Sequence, residues 1–369
     1  MNAQGRIQGH KQVMIFAGGT GGHVFPALAV AEQLRKMGYQ VSWVGTAQRI
    51  EARLVPAAGF EFHCMAQQGL RGNGLMGYLK APFGLIRAVW QARQLIKASK
   101  ADLVLGFGGY TAGPGGVAAK LARVPLLIHE QNAAPGLTNK LLAKIADRTL
   151  LGFAAAKDTL SRGEWVGNPV RAAVFSASEH AQRGCSPLRL LVVGGSLGAQ
   201  VLNEQVPAAM KKWRGDTIKI THQVGRGRRE ETLKRYQDCA AGVSVEIHEF
   251  IEDMAKAYAQ HDVIICRAGA LTVAEVAAAG IPSILVPYPH AVDDHQTRNA
   301  EVLVMKKAAV LIAQPRLTPD HLLATLEEIC AVTDHLQNMG ARAREVAQPE
   351  ATHHIVRHCQ QLMNEQGVV

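Results

Sequence analysis

The residues from Gly18 to His23 form the stretch of this sequence best suited to hold an anion. They read Gly-Gly-Thr-Gly-Gly-His and stand between an apolar run at 13–17 and a helical pattern at 25–37. Glycines permit positive φ and close approach of the backbone to a ligand, and a helix start offers unpaired N–H groups and a positive dipole end. The spacing is neither the dinucleotide fingerprint nor a P-loop. A tight structural turn is the alternative interpretation.

Four polar residues form a second candidate group where a predicted strand at 125–128 ends. They are His129, Glu130, Gln131 and Asn132. Open α/β sheets bind ligands beyond the carboxyl ends of their strands, so this position suits a ligand contact. A hydrogen-bonded loop network without a ligand would account for the same residues.

A third candidate is Glu275, about one turn inside a helix predicted after a further glycine turn at 267–269. Its carboxylate could accept both hydroxyls of a ribose, as the acidic residue of nucleotide-binding folds does. As a single helical glutamate it could also be solvated or pair with the helix dipole.

A parallel α/β sheet would bring such groups together, and the sequence predicts one. Apolar runs end repeatedly in glycine, and 36 glycines among 369 residues suit many strand-to-helix turns. The opening plan recurs as a strand at 190–193, a glycine turn at 194–199 and a helix at 201–213. The length favours two domains. We expect a disordered extension at 1–12, domains at 13–170 and 171–349, and a last helix within 350–369.

Net charge, cysteine spacing and the length of apolar runs limit the classes of protein to which this chain can belong. The formal charge of +10 favours an anionic partner, which could be nucleic acid, an acidic membrane surface or a phosphorylated substrate. The six cysteines lack C-x-x-C spacing, so neither a disulfide framework nor a zinc site is indicated, and a reducing cytoplasm fits. No signal-peptide pattern occurs, and no apolar run approaches the ~18 residues that span a bilayer. We therefore expect a protein that is neither secreted nor transmembrane.

One predicted helix has two apolar stripes, one more than it needs to pack against the core. No acidic residue occurs from 62 to 101, and a helix that starts at Pro82 would place Phe83, Ile86 and Trp90 on one stripe, rimmed by Arg87 and Arg93. A separate stripe of Leu85, Val89, Ala92 and Ile96 can face the core. The first stripe could enter an anionic membrane interface. Burial of both stripes under the loop at 69–77 is the alternative.

Five ordered motifs resemble those of the MurG family. They are 18–23 with Phe25 and Pro26, 129–132, 167–171, 194–196 and 270–275, and the resemblance runs from about residue 13 to the end. Members are N-acetylglucosaminyltransferases that complete the lipid-linked disaccharide-pentapeptide precursor of peptidoglycan. The resemblance implies two facing Rossmann-like domains of the GT-B glycosyltransferase type. It places the active site in the interdomain cleft and the last helix back on the first domain.

The same resemblance implies that UDP-N-acetylglucosamine binds mostly to the second domain. Glu275 would hold the ribose, Ile251 the uracil through its backbone, and Ser196 with the turn at 270–272 the diphosphate. The complete set of implied contacts is Thr20, Gly21, Gly22, Asn132, Arg171, Ser196, Ile251, Ala270, Leu271, Thr272, Val273, Ala274, Glu275 and Gln296.

The implied acceptor is undecaprenyl-pyrophosphoryl-N-acetylmuramoyl-pentapeptide, whose diphosphate would meet the first glycine turns. A β product from an α-linked donor implies a single inverting displacement, in which a base takes the proton of the muramoyl C4 hydroxyl. His23 is the first choice, because the ordinary histidine pKa of about 6.5 suits that task, and Glu130 is the second. No Asp-x-Asp occurs, so we expect no protein-held metal and no cofactor, with helix N-termini and side chains meeting the leaving-group charge.

The implied location is the cytoplasmic face of the bacterial inner membrane, as a peripheral protein in contact with anionic lipids. Other cell-wall synthesis proteins are candidate partners. The strongest rival is a UDP-N-acetylglucosamine epimerase, which shares the architecture and needs no membrane. A nucleic-acid-binding protein would need aromatic and basic residues on one platform, and the 5% aromatic content and clustered glycine turns argue against it.

Overall fold

The structure, a computed structural model, describes residues 11–65, 74–179, 181, 183–195, 198–332 and 334–365. Residues 1–10 of the expected disordered extension lie outside this part of the chain. The described chain divides into two compact units. The first comprises the residues up to Gln131, Pro135–Pro169 and the residues from Glu350 onward, and the second comprises Asn132–Ala134 and Val170–Pro349.

The first unit alternates strands with helices. In chain order its elements are β1 (Gln12–Phe16), α1 (Gly21–Lys36), β2 (Gln40–Gly45), α2 (Glu51–Ala57), β3 (Glu61–Cys64), α3 (Gly74–Ala98), β4 (Leu103–Gly106), α4 (Ala112–Ala122), β5 (Leu126–Glu130), α5 (Leu137–Leu142), β6 (Arg148–Leu151) and β7 (Glu164–Trp165). Its seven strands are parallel and ordered β3-β2-β1-β4-β5-β6-β7. The strand order reverses between β1 and β4. The loops after these two strands therefore lead to opposite sides of the sheet and leave room for a ligand between them.

The central strand β1 explains why this sheet is buried on both faces. All five of its residues are buried. Because side chains alternate along a strand, Val13 and Ile15 pack into one apolar cluster, and Met14 and Phe16 pack into another on the opposite face. A near-continuous apolar run is typical of such a parallel strand.

The second unit repeats this plan. Its elements are α6 (Ala172–Ser178), β8 (Leu188–Val193), α7 (Gln200–Lys211), β9 (Ile218–Gln223), α8 (Arg229–Arg235), β10 (Val243–His248), α9 (Met254–Gln260), β11 (Val263–Cys266), α10 (Ala270–Ala279), β12 (Ser283–Leu285), α11 (His295–Val304), β13 (Ala309–Leu311), α12 (Pro319–Cys330) and α13 (His335–Arg344). The six strands are parallel and ordered β10-β9-β8-β11-β12-β13, so the reversal falls between β8 and β11. Both units are parallel α/β sheets, as predicted.

The last helix, α14 (Ala351–Glu365), belongs to the first unit. It buries Ile355, Cys359 and Leu362 in the cluster that also holds Val13. The ammonium group of Lys11, just before β1, donates to the Met363 carbonyl oxygen at 3.0 Å. The first strand and the last helix of the chain are thereby joined.

Three local predictions were wrong. The helix expected to start at Pro82 begins at Gly74, and Leu85, expected in the core, is exposed on it. The helix expected from residue 25 begins at Gly21, so His23 lies in its first turn. The segment at 176–187 is polar, and its composition predicts a linker, but it includes the end of α6 and the buried Arg183. Arg183 is buried because its guanidinium donates to backbone carbonyls, and a hydrophobicity pattern cannot indicate such a buried arginine.

Candidate active site

The first glycine turn lies at the strand reversal of the first unit. It joins β1 to α1, and the loop after β4 presses against it. Gly109 has a φ of +82°, and a Cβ at that position would overlap the carbonyl group of Gly18. A glycine at position 109 is therefore needed for the two loops to touch.

Glu51 holds this turn in place, a role that the sequence did not indicate. The side chain is fully buried at the start of α2. Its carboxylate accepts hydrogen bonds from the Gly19 backbone N–H at 3.1 Å, from the Thr46 N–H at 3.1 Å and from the Thr46 hydroxyl at 2.7 Å. Three donors on one buried carboxylate join the loops after β1 and β2. Only the tertiary fold brings residues 19 and 51 together.

The turn borders a pocket of about 170 Å³, lined by Gly18, Gly19, Thr20, Thr46, Arg49, Tyr110 and Thr111. Thr20 is the N-cap of α1, and its side chain makes no capping hydrogen bond. Gly21 and Gly22 occupy the first turn of the helix, where backbone N–H groups have no partner within the helix. The pocket thus combines a helix N-terminus, an arginine and three threonines, which suits a phosphate or diphosphate.

His23 has a defined ring orientation. Its Nδ1 atom lies 3.1 Å from the Gly18 carbonyl oxygen and 3.4 Å from the Thr20 hydroxyl. A carbonyl oxygen can only accept, so Nδ1 carries the proton in the neutral ring and Nε2 is the basic nitrogen. A Cβ at Gly108, in the loop after β4, would lie 3.2 Å from that Nε2.

The polar group at 129–132 divides between the two units. Glu130 is almost fully buried at the end of β5, where its carboxylate accepts from the Gly136 N–H at 3.1 Å and from the Asn139 amide at 2.9 Å. The same Asn139 amide nitrogen would lie 3.7 Å from a Cβ at Gly108, so Glu130 and His23 belong to one edge of the sheet. The two bonds brace the start of α5.

His129 forms the network that was the alternative interpretation of this group. Its Nε2 donates to the Gly167 carbonyl at 3.0 Å, and its Nδ1 accepts from the Gln131 side-chain amide at 3.1 Å. Burial lowers the pKa of His129 to about 4, against the opposing effect of its bond to Gly167. The residue is therefore neutral near pH 7 and structural.

Asn132 is counted with the second unit, where it meets α11. Its side-chain oxygen accepts from the Asn299 amide at 3.2 Å, and the Asn299 side-chain oxygen accepts from the Ala133 N–H at 2.8 Å. Asn299 also donates to the Ala268 carbonyl at 3.2 Å, just before α10. One buried amide thus connects Asn132 with the turn that leads into the predicted donor helix.

Gln223 connects two loops at the carboxyl edge of the second sheet. The Gly195 backbone N–H donates to its side-chain oxygen at 3.0 Å, and its amide donates back to the Gly195 carbonyl at 3.0 Å and to the Glu249 carbonyl at 2.8 Å. The glycine turn after β8 is thus tied to the loop after β10, which contains the half-buried Ile251. Ser196, the predicted diphosphate contact, lies outside the described residues.

Glu275 lies on the buried side of α10, with only 14% of its side chain exposed. Arg171, the N-cap of α6, approaches one carboxylate oxygen at 3.6 Å, and the Tyr258 hydroxyl donates to the other at 3.0 Å. Burial raises the pKa of Glu275, while Arg171 and Tyr258 oppose that rise. The alternative of a solvated helical glutamate is therefore wrong.

The remaining predicted donor contacts line the start of α10 and the loop after β12. Gly269 is the N-cap of α10, and no side chain caps the helix. Ala270 and Val273 are buried, whereas Leu271, Thr272 and Ala274 are half-buried. The Gln296 side-chain oxygen accepts from the Tyr288 N–H at 2.9 Å, which braces the loop after β12. Within the described residues no group of three His, Cys, Asp or Glu side chains could hold a metal ion.

The predicted membrane stripe on α3 is exposed. The exposed fractions are 76% for Phe83, 66% for Ile86 and 61% for Trp90. Arg87 is exposed and Arg93 half-buried, and Ala88, Ala92 and Ile96 bury the opposite face. Burial of both stripes, the alternative interpretation, is therefore wrong. Among the described helices, none is long and apolar enough to cross a bilayer.

Comparison with known proteins decides the family. The N-terminal domain model of glycosyltransferase family 28 matches residues 13–151, and the C-terminal domain model matches residues 189–355. An enzyme of Aeromonas hydrophila is 51% identical over 353 residues, covering 95% of this chain and 97% of its own. It is named UDP-N-acetylglucosamine–N-acetylmuramyl-(pentapeptide) pyrophosphoryl-undecaprenol N-acetylglucosamine transferase. The chain belongs to the MurG family of glycosyltransferase family 28.

Solved structures agree with this membership. The crystal structure of Acinetobacter baumannii MurG is 43% identical, with a TM-score of 0.81 over 95% of this chain and 99% of that one. A UDP-N-acetylglucosamine 2-epimerase structure from Listeria monocytogenes has a TM-score of 0.66 at 14% identity, covering 97% of this chain and 98% of that one, and shares the fold alone. The predicted MurG-family resemblance and GT-B type fold are confirmed, and the chain is a glycosyltransferase.

Proposed function

We propose that this enzyme transfers N-acetylglucosamine from UDP-N-acetylglucosamine to the C4 hydroxyl of undecaprenyl-pyrophosphoryl-N-acetylmuramoyl-pentapeptide. The observation that carries the proposal is the 51% identity, along nearly the whole of both chains, to an enzyme named for this transfer. The reaction belongs to peptidoglycan synthesis. The two glycine turns at the strand reversals, one in each unit, supply anion-binding groups for substrates that both contain a diphosphate.

The proposed chemistry is a single displacement with inversion at the anomeric carbon. His23 acts as the general base, because its Nδ1–H donates to Gly18 and leaves Nε2 as the nitrogen that can take the C4 hydroxyl proton. As the new glycosidic bond forms, the bond to the UDP oxygen breaks. The charge that develops on UDP is met by the start of α10 and by the glycine turn after β8.

Glu130 is the weaker candidate for the base. Its carboxylate is buried and accepts hydrogen bonds from Gly136 and Asn139. Both hydrogen bonds are accepted by Oε2, and they hold the carboxylate within the loop. We therefore assign Glu130 to the support of the loop between β5 and α5.

The donor contacts follow from the second unit. Glu275 accepts the ribose hydroxyls, the backbone of Ile251 meets the uracil, and Gly195 with Ser196 and the turn at 270–272 meets the diphosphate. Arg171 and Gln296 add nucleotide and sugar contacts, and Asn132, held by Asn299, lies beside the start of α10. Val273 and Ala274 belong to the same helix start, and the Val273 side chain is fully buried. Thr20, Gly21 and Gly22 complete the set.

The acceptor carries its lipid into the membrane, and the exposed apolar stripe on α3 gives the enzyme a way to reach it. Phe83, Ile86 and Trp90 would enter the interface, with Arg87 and Arg93 beside anionic headgroups. The enzyme would then act as a peripheral protein at the cytoplasmic face of the inner membrane. Other cell-wall synthesis proteins are natural partners at that surface.

A transfer assay with radiolabelled UDP-N-acetylglucosamine and a short-chain lipid acceptor tests the proposal. Label should appear in the acceptor in proportion to enzyme, and an acceptor without the C4 hydroxyl should remain unlabelled. Conversion of UDP-N-acetylglucosamine to its 2-epimer without acceptor labelling would support the epimerase instead. Absence of both products would refute the proposed transfer.

A further inference from the structure

Tyr258 and Glu275 are joined by a hydrogen bond inside the second unit. The Tyr258 hydroxyl, on α9, donates to Oε2 of Glu275, on α10, at 3.0 Å. Only 1% of Tyr258 is exposed, so its hydroxyl cannot reach a ligand itself. The Glu275 side chain is 14% exposed and keeps access to one. Any effect of Tyr258 on a ligand must therefore pass through the Glu275 carboxylate.

Arg183 anchors the two helices that carry this pair. Its guanidinium donates to the carbonyls of Gly280 at 2.8 Å and Ala279 at 2.7 Å, where α10 ends. It also donates to the carbonyl of Tyr258 at 3.3 Å and to that of His261, where α9 ends. A buried cation thus connects the carboxyl ends of both helices, where their dipoles are negative. Arg183 therefore holds together the ends of the two helices that carry Tyr258 and Glu275.

The carboxylate has capacity left for a diol. An ionised carboxylate offers about four lone-pair positions. Arg171 lies 3.6 Å from Oε1 and Tyr258 occupies one position on Oε2, so two positions remain for two adjacent hydroxyls. Without the tyrosine hydroxyl, the carboxylate could rotate toward Arg171 and lose that alignment.

We propose that Tyr258 is a positioning residue that orients Glu275 for the two ribose hydroxyls of the UDP donor. This inference rests on the proposed function, because it takes Glu275 as the ribose contact. The burial that raises the pKa of Glu275 also makes the hydrogen bond from Tyr258 stronger than it would be in water.

Tyr258→Phe tests the inference, since it removes one oxygen atom and keeps the ring packed. Titration calorimetry would measure Kd for UDP and for 2′,3′-dideoxy-UDP with the wild-type enzyme and the variant. We expect the variant to bind UDP roughly two- to tenfold more weakly, the range for loss of one hydrogen bond. Its Kd for dideoxy-UDP should stay within about twofold of wild type, because that ligand has no hydroxyls for Glu275 to hold.

Tyr236→Phe is the matched control. Tyr236 is also buried, with 6% exposed, and its hydroxyl lies 2.9 Å from His222 Nδ1 rather than near Glu275. We expect this control to leave the preference for UDP over dideoxy-UDP unchanged. An equal loss for both ligands in Tyr258→Phe would show a general structural effect and overturn the positioning role, as would no loss at all. If the wild-type enzyme itself showed no preference for UDP, the ribose assignment of Glu275 would fail first, and this inference with it.

Discussion

His23 Nδ1 lies 3.1 Å from the carbonyl oxygen of Gly18, the first residue of the glycine turn. The same turn that offers its N–H groups to an anion therefore also selects the tautomer of the proposed base. Because the Gly18 carbonyl oxygen can only accept, the basic nitrogen is Nε2, beside the loop after β4. The proposed anion binding and the proposed proton transfer therefore involve the same short segment.

We predict that His23→Ala lowers kcat about a hundredfold or more, the usual contribution of a general base, with little change in the Kd for UDP. Steady-state transfer assays and calorimetry would give the two quantities separately. His353→Ala, at an exposed position of α14, serves as the control and should retain full activity. Near-normal turnover of His23→Ala would remove His23 from the mechanism.

For Glu130 we expect Glu130→Gln to affect stability more than chemistry. The amide oxygen can replace only part of the acceptor that Gly136 and Asn139 use, so the free energy of unfolding should fall by about 1 to 2 kcal/mol. Turnover of the folded enzyme should fall much less than in His23→Ala. Urea unfolding and kcat at a temperature well below the transition would measure both. A larger loss of kcat than in His23→Ala would make Glu130 the base.

The sequence predicted the fold class because the alternation of apolar strand, glycine turn and helix is a local pattern. The turns at 18–23 and 194–199 could each be located from a few neighbouring residues, and the order of motifs identified the family. The supports of these turns could not be found in the same way. Glu51 reaches Gly19 across 32 positions, and Arg183 reaches Gly280 across 97. Such pairs depend on the order of the strands in the sheet, and a short stretch of sequence does not reveal that order.

The helix α3 shows a different limit. A proline is favoured in the first turn of a helix, so the sequence predicts a helix start at Pro82. The helix instead begins at Gly74, and Leu85 is exposed on it. The helical spacing of its apolar residues predicts Leu85 in the core. An exposed apolar stripe has the same spacing as a buried one, so the spacing cannot tell them apart. Only exposure in the folded chain separates the two.

A third prediction concerns Glu51, which we expect to be essential for the first glycine turn. Glu51→Ala leaves the Gly19 N–H and both Thr46 donors without their acceptor, and the free energy of unfolding should fall by roughly 3 kcal/mol or more. Denaturant titration would measure this loss. Glu32→Ala, at an exposed position on α1, is the control and should change stability by less than about 0.5 kcal/mol. Equal stability of the two variants would show that Glu51 does not support the turn.

A fourth prediction follows from His129, whose pKa burial lowers to about 4. In the unfolded chain the pKa is about 6.5, so between these values the unfolded state binds a proton that the folded state does not. The folded state therefore loses stability as pH falls through this window, by up to about 3 kcal/mol from this residue. His129→Gln, which keeps an N–H donor near Gly167 but does not titrate, should lose less stability between pH 6.5 and pH 4. Parallel curves for the two proteins would contradict the assignment.

The last prediction separates membrane binding from chemistry. Replacing Phe83, Ile86 and Trp90 with serine removes three exposed apolar side chains from α3, and sedimentation with phosphatidylglycerol vesicles should weaken roughly tenfold or more. The same variant should keep its Kd for UDP, since the proposed uracil and ribose contacts, Ile251 and Glu275, lie in the second unit. Met305→Ser combined with Val332→Ser removes comparably exposed apolar surface from that unit and should sediment like the wild type. If the α3 variant also sediments like the wild type, this stripe is not the membrane contact. If both variants lose binding equally, general surface hydrophobicity rather than this helix accounts for it.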